Sequence, residues 1–444
     1  MFLKLFCLSV AVPVFAVVVG CGGSAGTTDG GGGGNPTHVT FTFKGATPTA
    51  VAAKVGSGAF TVQALSAGTL TLSIPSGTTD FAVAVNCPPQ SQAMGSLTLT
   101  SSYQIVMEAS TADGTEFTGS CTIPWSTPPT GILTGRVDAS AIPGANYIGV
   151  DATNGGSGGE AFFLSGTASD LNLLLPAGTD RVGLGAYVYT ASNPYGANSV
   201  WTLAAVRNFD GVAVPGSVNG GVAVELGAAD AVTQQPITYK NVPSNYGAPS
   251  TFAYFVWKDS GGVWLSNGAT SEYPAVPTVA AEAGDYYSFY VAAYSQSTAG
   301  EGMLVSATST SAGPQTFTFP ATWTYAGPTP AALLSFDMNY TGFAGKTGVA
   351  DAAGLSWQTG TGTQSSTNYS YQVIASANYL NGSTRLTLPE LSSVPGFLTL
   401  PASGTNAVWL AEIIQSSNGF LQPVKGGANT NTSSVQNVGT FTVP

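Results

Sequence analysis

The chain has 444 residues, of which 43% are hydrophobic and only 7% charged, with 22 acidic against 11 basic side chains and a formal net charge of −11. A typical globular chain is about 25% charged, so this surface is built from Ser, Thr, Asn, Gln and Gly. The lack of clustered Lys and Arg excludes phosphate-backbone recognition, and with it a nucleic-acid partner. The hydrophobic content is too high for a disordered stalk, and the length implies more than one domain.

Residues 1–20 read as an export signal: Lys4 supplies a positive start, and Leu5 to Val17 an apolar run too short to span a bilayer comfortably. Removing Lys4 with this segment leaves 11 − 1 = 10 basic side chains and a net charge of 10 − 22 = −12. The run ends in Val18-Val19-Gly20-Cys21, which resembles the lipobox of bacterial lipoproteins. The resemblance implies that Cys21 is diacylated and becomes the new N-terminus, with the lipid as the link to a membrane. Residues 21–35, rich in glycine, then serve as a flexible tether between lipid and folded body. By analogy with lipoproteins of Gram-negative envelopes, Gly22 after the cysteine favours the outer membrane or cell surface over inner-membrane retention.

Cys7 leaves with the signal and Cys21 takes the lipid, so Cys87 and Cys121 remain, 121 − 87 = 34 residues apart, as the expected disulfide of an exported protein. A zinc site built on them would lack partners, since His38 is the single histidine. No metal and no cofactor is expected.

Beyond the tether, period-2 alternation dominates and helical periodicity is nearly absent. "LTLSIPSGTTDFAVAVNC" from Leu70 aligns without a gap on "LNLLLPAGTDRVGLGAYV" from Leu171, an offset of 171 − 70 = 101 residues. Both read as a hairpin with one apolar face. Fainter echoes start at Ala281 and Pro401, and strands ending at Pro124, Pro243, Pro320 and Pro444 read as repeat ends. The prediction is an all-β chain of four tandem antiparallel β-sandwiches over 36–127, 128–246, 247–326 and 327–444. Domains of this size and pattern resemble immunoglobulin or fibronectin type III modules. "GRVDASAIPGANYIGVDA" from Gly135 resembles the opening strands of carboxypeptidase-regulatory-like domains. These resemblances imply spacers, adhesins or binding platforms more than enzymes.

No catalytic residues are assigned. "GGSAG" at Gly22 and "GGSGG" at Gly155 fit G-x-S-x-G but are glycine loops without the strand and helix that a nucleophile elbow requires. His38, beside the tether, reads as a surface residue. Glycoside hydrolysis needs only two carboxylates, and Glu108, Asp113 and Glu116, or Glu282 and Asp285, are the candidates. The loop from Asp113 to Glu116 is also the candidate for calcium.

The sequence leans toward binding at "DYYSFYVAAY". Strand parity sends Tyr287, Phe289, Val291 and Ala293 to a core and Tyr286, Tyr290 and Tyr294 outward, with Tyr254, Trp257 and Trp264 nearby. Such a row can stack on sugars, meet a protein, or pack between domains. The expected function is a lipid-tethered envelope protein that binds or scaffolds without catalysis, through an envelope protein or polysaccharide partner. A polysaccharide-binding lipoprotein comes second and a glycoside-active enzyme third.

Overall fold

The structure is a computed structural model that describes residues 36–443 other than 95–96, 122–130, 154–158, 176, 190–199, 259–260, 329–333, 360–364 and 422–429. The export signal, Cys21, the tether, the first glycine loop, residues 155–158 of the second and the boundary near 127 fall outside the described residues. What is described is all-β, in four repeats of a two-layer sandwich.

The first repeat shows how the pattern becomes layers. Its strands are β1 (Thr37–Gly45), β2 (Ala50–Val55), β3 (Thr61–Val62), β4 (Thr69–Ile74), β5 (Asp80–Asn86), β6 (Gln90–Met94), β7 (Leu97–Ser110) and β8 (Glu116–Cys121). The small sheet runs β4–β1–β8, with β1 and β8 parallel. The other sheet holds β2, β3, β5, β6 and β7. β4 and β5, predicted as a hydrogen-bonded hairpin, therefore lie in different layers, and the Pro75–Thr78 turn arches between them. Their alternating residues meet across the core: Leu70, Leu72 and Ile74 from one layer, Phe81, Val83 and Val85 from the other, around Phe41 and Phe117. Cys87 and Cys121 are joined, Cα atoms 5.4 Å apart, at the ends of β5 and β8, so the bond staples layer to layer.

The second repeat has β9 (Gly131–Asp138), β10 (Tyr147–Thr153), β11 (Gly159–Ser165), β12 (Ala168–Leu175), β13 (Gly178–Tyr189), β14 (Trp201–Val214), β15 (Gly216–Ser217) and β16 (Val224–Glu225). The third has β17 (Thr233–Lys240), β18 (Ser250–Val256), β19 (Gly262–Gly268), β20 (Glu272–Ala275), β21 (Tyr286–Tyr294), β22 (Gly302–Ser309) and β23 (Gln315–Thr318). The fourth has β24 (Ser335–Asp337), β25 (Val349–Thr359), β26 (Ser365–Ser376), a short helix α1 (Ala377–Leu380), β27 (Arg385–Thr387), β28 (Asn406–Ser416) and β29 (Asn431–Thr442). The wiring recurs. The first strand of each repeat pairs antiparallel with the strand that precedes the arch: β1 with β4, β9 with β12, β17 with β20, β24 with β27. In the first three it also pairs parallel with a closing strand. The sheets are thus mostly antiparallel, as the sequence predicts, with parallel pairs at these closing strands, and the wiring moves one boundary. β17, "TQQPITYK", reads in sequence as the end of the second repeat, but it pairs with β20 and β23 and opens the third, so the division lies before Thr233 and not near 246.

The repeats are not beads on a string. Their larger sheets join edge to edge into one sheet of 17 strands, in the spatial order first, fourth, third, second. β7 pairs parallel with β26 from Thr98↔Ser365 to Glu108↔Ala375. β22 pairs antiparallel with β29. β14 touches β19 through Trp201↔Asn267 and Thr202↔Ser266 alone. Joining edges in this way removes the unpaired backbone rows that would invite aggregation. It also buries sheet faces a lone sandwich would expose. In β5, Phe81, Val83 and Val85 fill the first core, while Ala82 and Ala84 face a second core continuous with the third and fourth repeats. The small alanines admit a close cover: Asn86 Nδ2 donates to the Gly396 carbonyl at 2.8 Å, and the Leu398 N–H to Gln104 Oε1 at 2.7 Å. Across the seam, Met107 and Ile374 share the first core's face, and Val106 and Val373 share the other.

Candidate binding surface

β21 carries the alternation the sequence predicts on one face: Tyr287, Phe289, Val291 and Ala293 are buried in the large shared core. Its opposite face is graded rather than uniformly exposed. Tyr286 is buried, Tyr290 half-buried, and Tyr294 47% exposed.

The second repeat causes the gradient. The Tyr187 hydroxyl donates to the Trp264 carbonyl at 2.9 Å and reaches Asp151 Oδ2 at 3.4 Å. Trp201 meets Trp264 edge-on with centroids 5.9 Å apart, and Trp264 meets Tyr254 at 5.0 Å. Burial, then Asp151 and Tyr286, push the Tyr254 phenol above its usual range, and burial pushes the Asp151 carboxyl well up. Tyr254 and Trp264 thus brace two repeats against each other, and Tyr286 is closed off at the same end. Trp257 is corrected outright: it is 1% exposed, and its ring carries the Arg181 guanidinium 5.0 Å from its centroid. It follows the last residue of β18, where strand parity no longer predicts its direction. Arg181 in turn pairs with Asp285 at 3.0 Å, a buried link between the second and third repeats, and with the exposed Asp210 of its own repeat at 3.1 Å.

What stays open is the other end. Phe252, 39% exposed, lies opposite Tyr290 in the register, with ring centroids 6.4 Å apart. Sequence reading missed Phe252, although it shares strand parity with Tyr254. Ser288, Ser306 and Thr308 lie on the same face. Tyr294 lies opposite Gly302, where any Cβ would sit 2.9 Å from the tyrosine ring and 3.1 Å from Gln436 Nε2. Glycine lets that ring lie down against the sheet. The same register row continues through Gln436, Glu412, Ala352 and Ile374 to Met107 in the first core. The exposed Tyr294 ring therefore stands on a row of paired strands shared by three repeats.

Glu412 in that row also escaped sequence reading. It is fully buried, neither carboxylate oxygen reaches a hydrogen-bond partner, and burial raises its pKa from 4.5 to about 8, with the nearby Ser434 hydroxyl opposing only in part. The signal was present in "VWLAEIIQS", where strand parity puts Glu412 on the same face as Leu410 and Ile414. Asp351, buried in β25, is pushed up to about 7 for the same reason.

Four of the five carboxylates considered for catalysis, Glu108, Asp113, Glu282 and Asp285, are held in structural bonds. Glu108 accepts from Lys54 Nζ at 3.3 Å and the Tyr379 hydroxyl at 3.1 Å. Asp113 accepts from the Ser110 N–H and from Asn378 Nδ2, which binds the first repeat to α1. Both oxygens of Asp285 are engaged by Arg181, Lys258 N–H and Glu282 N–H, and Glu282 accepts from Lys258 Nζ at 2.6 Å. Glu116 is exposed in β8. His38 is exposed in β1, its Nδ1 3.2 Å from Ser73 Oγ. Among the described residues no three His, Cys, Asp or Glu side chains gather as a metal site, and no helix is long and apolar enough to cross a membrane.

No family model matches the sequence, and no curated protein is similar to it. Among solved structures, a proposed adhesin from Bacteroides ovatus ATCC 8483 resembles part of the chain at 12% identity, covering 40% of this chain and 82% of that one with a TM-score of 0.17. A likeness that slight adds nothing to the reading of the site.

Proposed function

We propose that this chain is a lipid-tethered, extracytoplasmic binding module of the cell envelope, probing a macromolecular partner with the open end of the tyrosine face. The lipobox-like Val18–Cys21 and the glycine tether support the anchoring, with the outer membrane as the favoured site. The single observation that carries the binding role is the pair of exposed rings, Phe252 and Tyr294, flanking half-buried Tyr290 on a floor of joined strands. A surface ring costs little to expose singly. Rings carried on paired strands bind at a lower ordering cost than a soft surface. On this reading the module acts without catalysis, with Glu108, Asp113, Glu282 and Asp285 serving as intramolecular ties.

A polysaccharide partner is the specific second reading, favoured by the hydroxyls of Ser288, Ser306 and Thr308 beside the rings. Photo-crosslinking from position 294 in living cells tests the role, with position 222, 65% exposed in the second repeat, as control. A discrete adduct specific to position 294 is expected. Identical adducts from both positions would remove this face as the recognition surface, and an adduct digested by glycosidases would identify the polysaccharide.

A further inference from the structure

Away from the tyrosine face, a cleft of about 520 Å³ opens where the third repeat passes into the fourth. Its volume is that of a small-ligand pocket, but such pockets are mostly apolar, and this one is lined by Asn241, Asn245, Thr298, Thr322, Thr324 and Glu301. No Lys or Arg is in its walls, so phosphate and carboxylate ligands find no counter-charge. The apolar part of the lining is Pro243, Pro320 and Ala321, which offer C–H surface but no aromatic slot for a flat base.

The walls are fixed before any ligand arrives. Glu301 is 5% exposed; its Oε1 accepts from the buried Tyr246 hydroxyl at 2.6 Å, and its Oε2 takes no partner among the described residues. Burial and Glu301 together raise the Tyr246 phenol well above its usual range, so it remains a donor. The loop before Glu301 is pinned by Gly300, whose φ is +85° and whose Cβ would sit 1.9 Å from the Val438 carbonyl; the Val438 N–H donates to the Gly300 carbonyl at 3.0 Å. Asn245 ties the facing wall to this loop through Nδ2 to Ser297 Oγ at 3.2 Å and its carbonyl to the Gln296 N–H at 2.9 Å. The third wall is held by Asn437 Nδ2 on the Trp323 carbonyl and the Tyr340 hydroxyl on the Ala321 carbonyl.

We infer that this cleft binds a neutral sugar residue, whose hydroxyls donate to Glu301 Oε2 and exchange hydrogen bonds with the amides and threonine hydroxyls, its C–H face resting on the prolines. A carboxylate that lines a polar cleft, with one oxygen already anchored by a buried hydroxyl, is an acceptor for a hydroxyl donor. The site is independent of the tyrosine face, so either can fail without the other.

The test is saturation-transfer NMR on the full-length protein, kept in a detergent without sugar headgroups, against glucose, galactose, mannose, N-acetylglucosamine and their disaccharides, with glucuronate as the anionic counterpart. At least one neutral sugar is expected to bind and glucuronate is not. Glu301→Gln should weaken binding about tenfold or more, because a charge-assisted hydrogen bond becomes a neutral one. Asn241→Gly and Thr322→Val change exposed wall residues, and each should weaken binding while leaving unfolding unchanged; glycine suits the positive φ of 61° at position 241. These two keep the inference testable if Glu301→Gln does not fold. Response to monosaccharides assigns a soluble sugar, and response to disaccharides alone assigns a residue of a longer chain. Absence of binding by every neutral sugar, binding untouched by all three substitutions, or Glu301-dependent binding of calcium in place of sugar would overturn it.

Discussion

Glu412 offers a clear test of whether the joined sheet is as dry as described. Its carboxyl is fully buried with Tyr290 and Tyr294 as electrostatic neighbours, and its pKa rises from 4.5 to about 8. Between those values the folded chain keeps a proton that the unfolded chain has released, so stability falls as pH rises through the window and is flat on either side. Each unit costs about 1.4 kcal/mol, or about 4 to 5 kcal/mol across the whole span of 3.5 units. Asp351, raised to about 7, acts with the same sign, so the informative quantity is the difference between wild type and Glu412→Gln. The amide keeps the shape and cannot ionise. In urea unfolding the two proteins should have nearly equal stability at pH 5, and the variant should be the more stable by several kcal/mol at pH 8.5. Equal pH dependence in both would mean that Glu412 is solvated or paired, and the account of a dry shared floor would be wrong.

Three further outcomes follow. Intact protein should show no free thiol at Cys87 or Cys121, and reduction should destabilise the first repeat by about 3 to 4 kcal/mol for the 34-residue loop, read as a lowered melting transition; alkylation of both without reduction would contradict the staple. Tyr286→Ser and Trp257→Ala should each cost about 3 to 5 kcal/mol in unfolding and Tyr294→Ser under about 1, and equal losses would contradict the graded face. Cys21→Ala should release the protein into the aqueous phase of a detergent separation or stall it as an unprocessed precursor, since the acyl chains would supply about 0.8 kcal/mol of membrane affinity per buried methylene; unchanged partitioning would remove the lipid.

The sandwich class was legible because each repeat alternates within its own core: Leu70, Leu72 and Ile74 against Phe81, Val83 and Val85 need only local strands to face each other. The arch was not, because Pro75–Thr78 serves equally well as a hairpin turn or a layer crossing, and pairing partners far away in sequence decide which. The seams were harder still. β7 and β26 meet in parallel register across more than 250 residues, and the hint was indirect: Ala82 and Ala84 occupy positions where a solvated face would carry polar side chains. The fate of the aromatic row depended on the same long-range packing. Period 2 sorted Tyr286, Tyr290 and Tyr294 onto one face, but only the second repeat's arrival over Tyr254 and Trp264 made one end of that face an internal brace and left the other open.

The central claim, that the open end of the tyrosine face is a recognition surface, is tested most directly by co-sedimentation of the protein with cell-envelope material stripped of lipid. Phe252→Ser combined with Tyr294→Ser alters only exposed rings and should leave melting within a few degrees of wild type. The account predicts that this double variant loses most of its sedimentation, about tenfold or more in apparent affinity, as expected when two aromatic anchors are removed. A double variant that stays folded and sediments like wild type would contradict it.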